Sequence, residues 1–314
     1  MLKHRLITGP ILVIVLLAIV WVDDWLDGVE LAGMWQDLFA QKQHPPRGLV
    51  LFGLALVVAP LAARELSGIF RANGIASRTW LTSLAAITGL VLSYSIPTQT
   101  ETTAGLEATT AIAILSTGMI VVFVLSLVTF SQGRNVQGVV AAAGAVVFAM
   151  VYLGLMMGFF LALRRDHSAW LIVGVILLTK AGDTGAYFTG RAIGRHKMIP
   201  WLSPGKTWEG LAGGVVTAGV LGALLAEASY WLPEPADHWP WWFGAVAGVV
   251  FAGFGQIGDL AMSLFKRDAG LKDASTILPG LGGVLDVLDS PLMVAPIAYW
   301  LFALYPSPAG GIAG

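Results

Sequence analysis

Cysteine is absent from the 314-residue chain, which excludes disulfides and thiolate metal sites. Charge is nearly as scarce: Asp, Glu, Lys and Arg make up 12% of the residues, 18 basic against 19 acidic, for a formal net charge of −1. That balance singles out no polyanionic partner, and no nucleic acid is expected as one. No internal repeat, soluble domain or long polar linker interrupts the chain. What fills it instead is apolar. Hydrophobic residues reach 56% and the mean hydropathy is +0.77, the composition of a polytopic membrane protein. The expected fold class is therefore all-α, a single integral membrane domain over 1–314 with about nine transmembrane helices.

The first apolar run, Leu6 to Val22, follows Lys3 and Arg5 like the start of a signal peptide. The segment after it, Trp21 to Asp27, is bulky and acidic rather than small, so a retained first helix is expected. Further spans are predicted at about Leu49 to Leu66, Trp80 to Ile96, Thr110 to Phe130, Gly138 to Leu163, Ala169 to Thr189, Leu211 to Trp231 and Trp241 to Met262. Pro291 to Leu304 would give only about 21 Å of helix against a hydrocarbon core of about 30 Å. The last helix is accordingly expected to begin near Gly283, with Asp286 and Asp289 one turn apart on one face and Pro291 as a kink.

Basic residues set the expected orientation. With the N-terminus in the cytoplasm and the C-terminus outside, Lys3, Arg5, Arg64, Arg71, Arg78, Arg134, Arg191, Arg195, Lys197, Lys206, Lys266, Arg267 and Lys272 all fall on the inner side. Lys42, Arg47, Arg164 and Arg165 are left on the other, and Lys180 lies within a span. Asp23 to Pro46 reads as an outer interfacial loop, and Trp239, Trp241 and Trp242 as an anchor belt.

The densest charge lies in Gly258 to Ser290, GDLAMSLFKRDAGLKDASTILPGLGGVLDVLDS, where Asp259, Asp268, Asp273, Asp286 and Asp289 alternate with Lys266, Arg267 and Lys272. Aspartates along a glycine-rich connection suit a hard cation such as Mg2+, and adjacent cations suit the phosphates such a metal carries. A solvated loop whose charges only fix topology would look similar. Gly280, Gly282 and Gly283 favour a ligand site, because they permit close backbone approach.

A second stretch, Lys180 to Gly210, reads KAGDTGAYFTGRAIGRHKMIPWLSPGKTWEG. Asp183 lies inside a span, where ionisable groups are functional candidates, although it stands three residues from Lys180 and could simply neutralise it. Ser203 to Glu209 opens the next span. A helix start bearing Ser, Thr and Lys suits a phosphate; equally, Ser203 or Thr207 could be an ordinary N-cap with Glu209 neutralising Lys206. Arg191, Arg195 and Lys197 are topology charges or headgroup-level phosphate ligands.

Both stretches resemble the phosphatidate cytidylyltransferase (CDP-diacylglycerol synthase) family. In the later one, Ser263, Lys266, Arg267, Lys272, Asp273, Pro279, Gly280, Gly282, Gly283, Asp286 and Asp289 fall in register with its signature. In the earlier one, Asp183, Thr184, Gly185, Ala186, Tyr187, Gly190, Arg191, Gly194, Ser203, Pro204, Lys206, Thr207, Glu209 and Gly210 do so. Leu281 stands at the family's histidine, Val287 at its arginine, Met262 at the usual glutamate and Gly205 at the second of a lysine pair. The matching part is the C-terminal portion, so that 166–314 would carry the catalytic helices and cytoplasmic loops and 1–165 the N-terminal helices.

The resemblance implies transfer of CMP from CTP to phosphatidic acid, with release of pyrophosphate, in a bacterial inner membrane with the active site on the cytoplasmic side. It implies Mg2+ on Asp259, Asp286 and Asp289, with a second cation such as K+ as an option. Lys266, Arg267 and Lys272 would hold the triphosphate, and Lys206 and Arg191 either triphosphate or lipid phosphate. Asp183, Tyr187, Ser203, Thr207, Glu209, Ser263, Asp273, Gly282 and Gly283 would complete the substrate site. A homodimer is the implied assembly. Open alternatives are a related CTP-dependent enzyme with another lipid acceptor (CDP-archaeol synthase-like or a lipid kinase), a transporter using Lys180 and Asp183, and a non-catalytic homologue.

Overall fold

The computed structural model describes residues 2–31, 43–95, 104–132, 136–231 and 237–305. Among the described residues there are nine apolar helices: α1 (Leu2–Leu26), α2 (Leu49–Ala72), α3 (Thr79–Ser95), α4 (Ala104–Ser131), α5 (Val139–Asp166), α6 (Ala169–Ile193), α7 (Trp208–Ser229), α8 (Trp241–Asp268) and α9 (Val284–Leu304). Eight are long and apolar enough to cross a bilayer, while α3, with 17 residues, reaches only about 26 Å. The protein is an all-α polytopic membrane protein, as its composition implies. Lys42, Arg134 and positions 32–42 of the expected outer loop lie outside the described residues.

Small residues set the packing. A Cβ on Gly222 would stand 2.0 Å from the Gly244 carbonyl oxygen, and one on Gly248 2.0 Å from that of Ala218, so α7 and α8 touch backbone to backbone. Gly182 and Gly214 do the same for α6 and α7, where a Cβ on Gly214 would lie 2.5 Å from the Gly182 oxygen. Gly258 admits α9 to α8, since its Cβ would meet the Asp289 carbonyl at 2.5 Å. These crossings bring Asp183, Asp259 and Asp289 to one end of one four-helix group. In the N-terminal half, Gly89 and Gly154 bring α3 against α5. There α5 contains a π-helical turn, Met150–Leu155, the kind of bulge that often marks functional positions.

Several expectations need correction. Helix α8 runs on to Asp268, past the predicted end at Met262, so Lys266 and Arg267 belong to its last turn rather than to a loop. Cations there complement the C-terminal end of the helix dipole. The basic connection after α6 contains a hairpin, in which β1 (Lys197–Ile199) and β2 (Ser203–Thr207) pair antiparallel. Trp239 is no interface anchor. It is 4% exposed, packed with Phe243 and Phe302, and donates Nε1–H to the Tyr305 carbonyl at 3.3 Å, whereas Trp241 and Trp242 are exposed.

The end of the bundle opposite Asp183 is held by buried charge. Arg164, fully buried, donates to Asp23 at 2.6 Å and to Asp27 at 2.8 Å. Asp23 in turn accepts from the backbone N–H groups of Val50 and Leu51, satisfying donors in the first turn of α2. Arg164, counted from sequence as a topology charge, is thus a fully paired core residue.

Candidate functional site

The site begins at the C-terminal end of α6. The antiparallel hairpin folds back so that Thr207 becomes the N-cap of α7, its hydroxyl accepting from the Gly210 N–H at 3.1 Å. Gly190 and Gly194 leave room for that hydroxyl, 3.0 and 2.7 Å from where their Cβ atoms would be. Of the two readings of this run, the N-cap holds for Thr207. The proposed Glu209–Lys206 neutralisation does not: Glu209 accepts from the backbone N–H groups of Arg195 and His196 and from the His196 ring, tying the loop to α7.

Lys206 is turned inward to α8, where its ammonium lies 2.8 Å from Asp259 Oδ2 and 3.5 Å from the Gln256 carbonyl. Gln256 also donates to Asp183 at 3.1 Å. Lys180 stands 3.5 Å from Asp183, so its claim on that carboxylate is weak and shared. Asp259 and Lys180 act electrostatically on both Asp183 and Asp289, which places these four groups in one charged cluster. Asp289, 5% exposed, accepts through Oδ1 from the N–H and hydroxyl of Ser290.

A second rung lies two turns along α8, about 10 Å on. The Lys266 ammonium donates to Asp286 Oδ1 at 2.6 Å, both groups almost enclosed. Asp286 Oδ2 accepts from the N–H groups of Gly283 at 2.8 Å and Ala274 at 2.9 Å, capping α9 while pinning the preceding loop. Glu65 of α2 completes the cap. It accepts from the N–H groups of Val284 and Leu285, at 2.9 and 2.8 Å, and from the Ser275 hydroxyl. Gly283 is required because a Cβ would stand 2.5 Å from Glu65 Oε2, and Gly282 adopts φ 95° to turn the chain into the helix.

Other expected residues lie at the rim. Tyr187 and Arg191 are exposed and hydrogen-bonded to each other at 3.1 Å. Arg267 donates to the Leu271 carbonyl, Lys272 and Asp273 are exposed, and Ser263 and Ser203 are half-buried. Gly282 bridges back to Leu278. Sequence reasoning missed Gln256 and Glu65. Glu65 had a usable signal, being a carboxylate inside a predicted apolar span. Gln256 had none, as an uncharged side chain in a glycine-rich helix.

The donors around Asp259 are oxygens, the set a hard divalent cation takes. Asp183 and Asp289 gather there with a shortage of positive charge, so the residues suit such an ion in kind. Among the described residues no three His, Cys, Asp or Glu side chains are already arranged as a metal cage. Both Asp286 oxygens are engaged by protein donors, which distinguishes it from Asp259.

The family model described as the cytidylyltransferase family matches residues 43–305. The phosphatidate cytidylyltransferase of Bacillus subtilis (strain 168) is 37% identical over 164 residues, 52% of this chain and 59% of that protein. That of Haemophilus influenzae is 41% identical over 138 residues, 43% and 47% of the two chains. That of Mycobacterium bovis is 36% identical over 164 residues, 52% and 51%. The matches thus span about half the length of these curated relatives.

Proposed function

The chain belongs to the cytidylyltransferase family, and from that premise we propose that it transfers CMP from CTP to phosphatidic acid, forming CDP-diacylglycerol and pyrophosphate. The observation that carries this reading is the Lys206–Asp259 contact at 2.8 Å, which joins two charged motifs more than 50 residues apart into one site. The bond formed is between a lipid phosphate oxygen and the α-phosphorus of CTP; the bond broken is that between the α-phosphorus and the oxygen bridging to the β-phosphorus. No nucleophilic side chain is needed, because the second proton of a phosphomonoester titrates near neutrality, with a pKa of about 6.

The residues then divide by task. Asp259 and Asp289, with Asp183 beside them, would hold Mg2+, while Asp286, in the second rung and engaged through both oxygens, would hold Lys266 and the start of α9. When bound, the metal would supply charge neutralisation on the phosphates. Lys206 rests on one carboxylate that water reaches, and a phosphate oxygen can replace that partner without stranding either group; Lys266, whose pair with Asp286 is almost enclosed, would keep that partner and add a phosphate oxygen. Arg267 and Lys272, exposed beside the second rung, would steer an incoming triphosphate, and Arg191 with Tyr187 would meet a headgroup at the lipid surface. On the same reading the site and the N-terminus would face the cytoplasmic side of a bacterial membrane, with the C-terminus outside, and the protein would be a homodimer.

The test is CMP transfer from labelled CTP to phosphatidic acid by purified protein, with and without Mg2+, beside Asp259→Asn. Mg2+-dependent product that collapses in the variant supports the proposal. Intact folding and CTP binding without product would point to a different acceptor, and the proposal would fail. Orientation is testable cleanly because the chain has no native cysteine. In inverted versus right-side-out vesicles, Trp201→Cys should label from the cytoplasmic face and Trp231→Cys from the other.

A further inference from the structure

A cavity of about 300 Å³ opens between α6, α7 and α8 at the end of the bundle away from Asp183. Its walls are apolar, with Val175, Leu178, Phe243 and Phe251 among them, and the exposed Leu177 borders it toward the lipid-facing surface. The size is at the small end for ligand cavities, which run to about 1,000 Å³, and suits one alkyl chain rather than two.

Three polar side chains, Ser168, Ser229 and Asp237, interrupt the apolar lining, and the Ser229 hydroxyl is already bonded to the Ala226 carbonyl. Ser168, 6% exposed, lines the cavity, and its buried hydroxyl has no hydrogen-bond partner among the described residues. As N-cap of α6 this hydroxyl would ordinarily bond the first turn, but it makes no capping bond. Carboxylates satisfy the amides around it instead: Asp237 accepts from the Ser168 N–H at 3.0 Å and Asp24 from the Ala169 N–H at 3.4 Å, while the Leu171 N–H bonds the Ser168 carbonyl at 3.2 Å. Asp237 also lines the cavity, yet its other oxygen is bonded to the His167 ring at 3.0 Å. The chamber therefore offers a neutral donor and no available charge. A buried hydroxyl left in this state is costly unless a ligand supplies its partner.

We propose that this cavity binds one acyl chain of a membrane glycerolipid in the leaflet opposite the charged cluster, with the ester carbonyl accepting a hydrogen bond from Ser168. Depth supports the ester. Trp241 and Trp242, exposed at the start of α8, mark the headgroup level beside the cavity, and the ester linkages of a bilayer lie just beneath it. The site is separate from the catalytic reading and does not rest on it.

Native mass spectrometry of the full chain, titrated with diacyl phosphatidylethanolamine or its dialkyl ether analogue, tests the assignment. The unaltered protein should retain the ester lipid about 2–10-fold more strongly than the ether, the range of one net hydrogen bond. Ser168→Ala, which removes an unpartnered hydroxyl and should fold, would erase that preference. Gly174→Leu would plug the chamber, since a Cβ there meets nothing within 4 Å, and should abolish retention of one lipid. Equal retention of ester and ether by the unaltered chain, or undiminished retention by Gly174→Leu, would overturn the proposal.

Discussion

Replacing Gly258 with alanine places a methyl carbon 2.5 Å from the Asp289 carbonyl oxygen and 3.0 Å from the Met293 Cβ. Ordinary contact begins at 3.4 Å, so α8 and α9 must separate by about 0.9 Å at the point where Asp259 and Asp289 face the same space. Overpacking of this kind costs about 1–3 kcal/mol of stability. Its effect on turnover should be larger in proportion, because a misplacement of about 1 Å at a reacting centre can cost about 100-fold. The comparison is Gly253→Ala on the same helix, where an added Cβ meets nothing within 4 Å and alanine gains helix propensity of up to about 1 kcal/mol. Thermal unfolding in detergent and CMP transfer, measured on both variants, decide the matter. Gly258→Ala should lose about 100-fold in kcat while Gly253→Ala stays within about two-fold. Equal activity in the two would refute the claim that close approach at Gly258 positions the carboxylates.

Lys266→Met should destabilise by about 3 kcal/mol, since it strands a nearly enclosed carboxylate, and adding Asp286→Asn should recover part of that loss; a strictly additive double-mutant cycle by chemical denaturation would contradict the pairing. Tyr152 lies on the π turn, 3% exposed, with its hydroxyl unpartnered among the described residues, so Tyr152→Phe should unfold at the same or a higher temperature. Burial pushes the Asp237 carboxyl up, but hydrogen bonds from His167 and Ser168 outweigh it and hold the group below its ordinary value. Its stabilisation is then complete above the unfolded value of about 3.9 and is lost as pH falls through the folded one. Asp237→Asn should flatten the acid limb of a stability–pH curve, and an unchanged limb would count against the assignment.

How far the chain was legible follows from what kind of information each part carries. Long apolar runs mark helices because a bilayer leaves the backbone no other partner, so α6 through α9 start within a few residues of where their sequences predict. The end of α8 was misread because Lys266 and Arg267 look like loop charges in a hydropathy profile, while a helix can carry them into the headgroup layer. The charged motifs identified which residues gather but not how they pair. One of the two readings of this run set Lys206 opposite Glu209, three residues away, whereas it meets Asp259 on another helix. That choice is made by the hairpin, whose pairing of Lys197 with Thr207 depends on tertiary packing that no local pattern reports. Glu65 stayed hidden for a related reason, since its partners are the N–H groups of Val284 and Leu285, which any sequence would supply.

The two ends of the bundle use ion pairs differently, and the difference bears on function. Arg164 is fully buried and bonded to Asp23, Asp27 and two backbone carbonyls, so removing any one partner leaves a charge in a medium that cannot solvate it. Such a group is fixed. Lys206 has one carboxylate and one long carbonyl contact, and the Asp259 side chain is 36% exposed. Its partner can be exchanged for a phosphate oxygen at little cost in desolvation, because water already reaches the pair. A site that must bind a triphosphate, turn over and release pyrophosphate needs pairs of the second kind, supported on a frame held by pairs of the first.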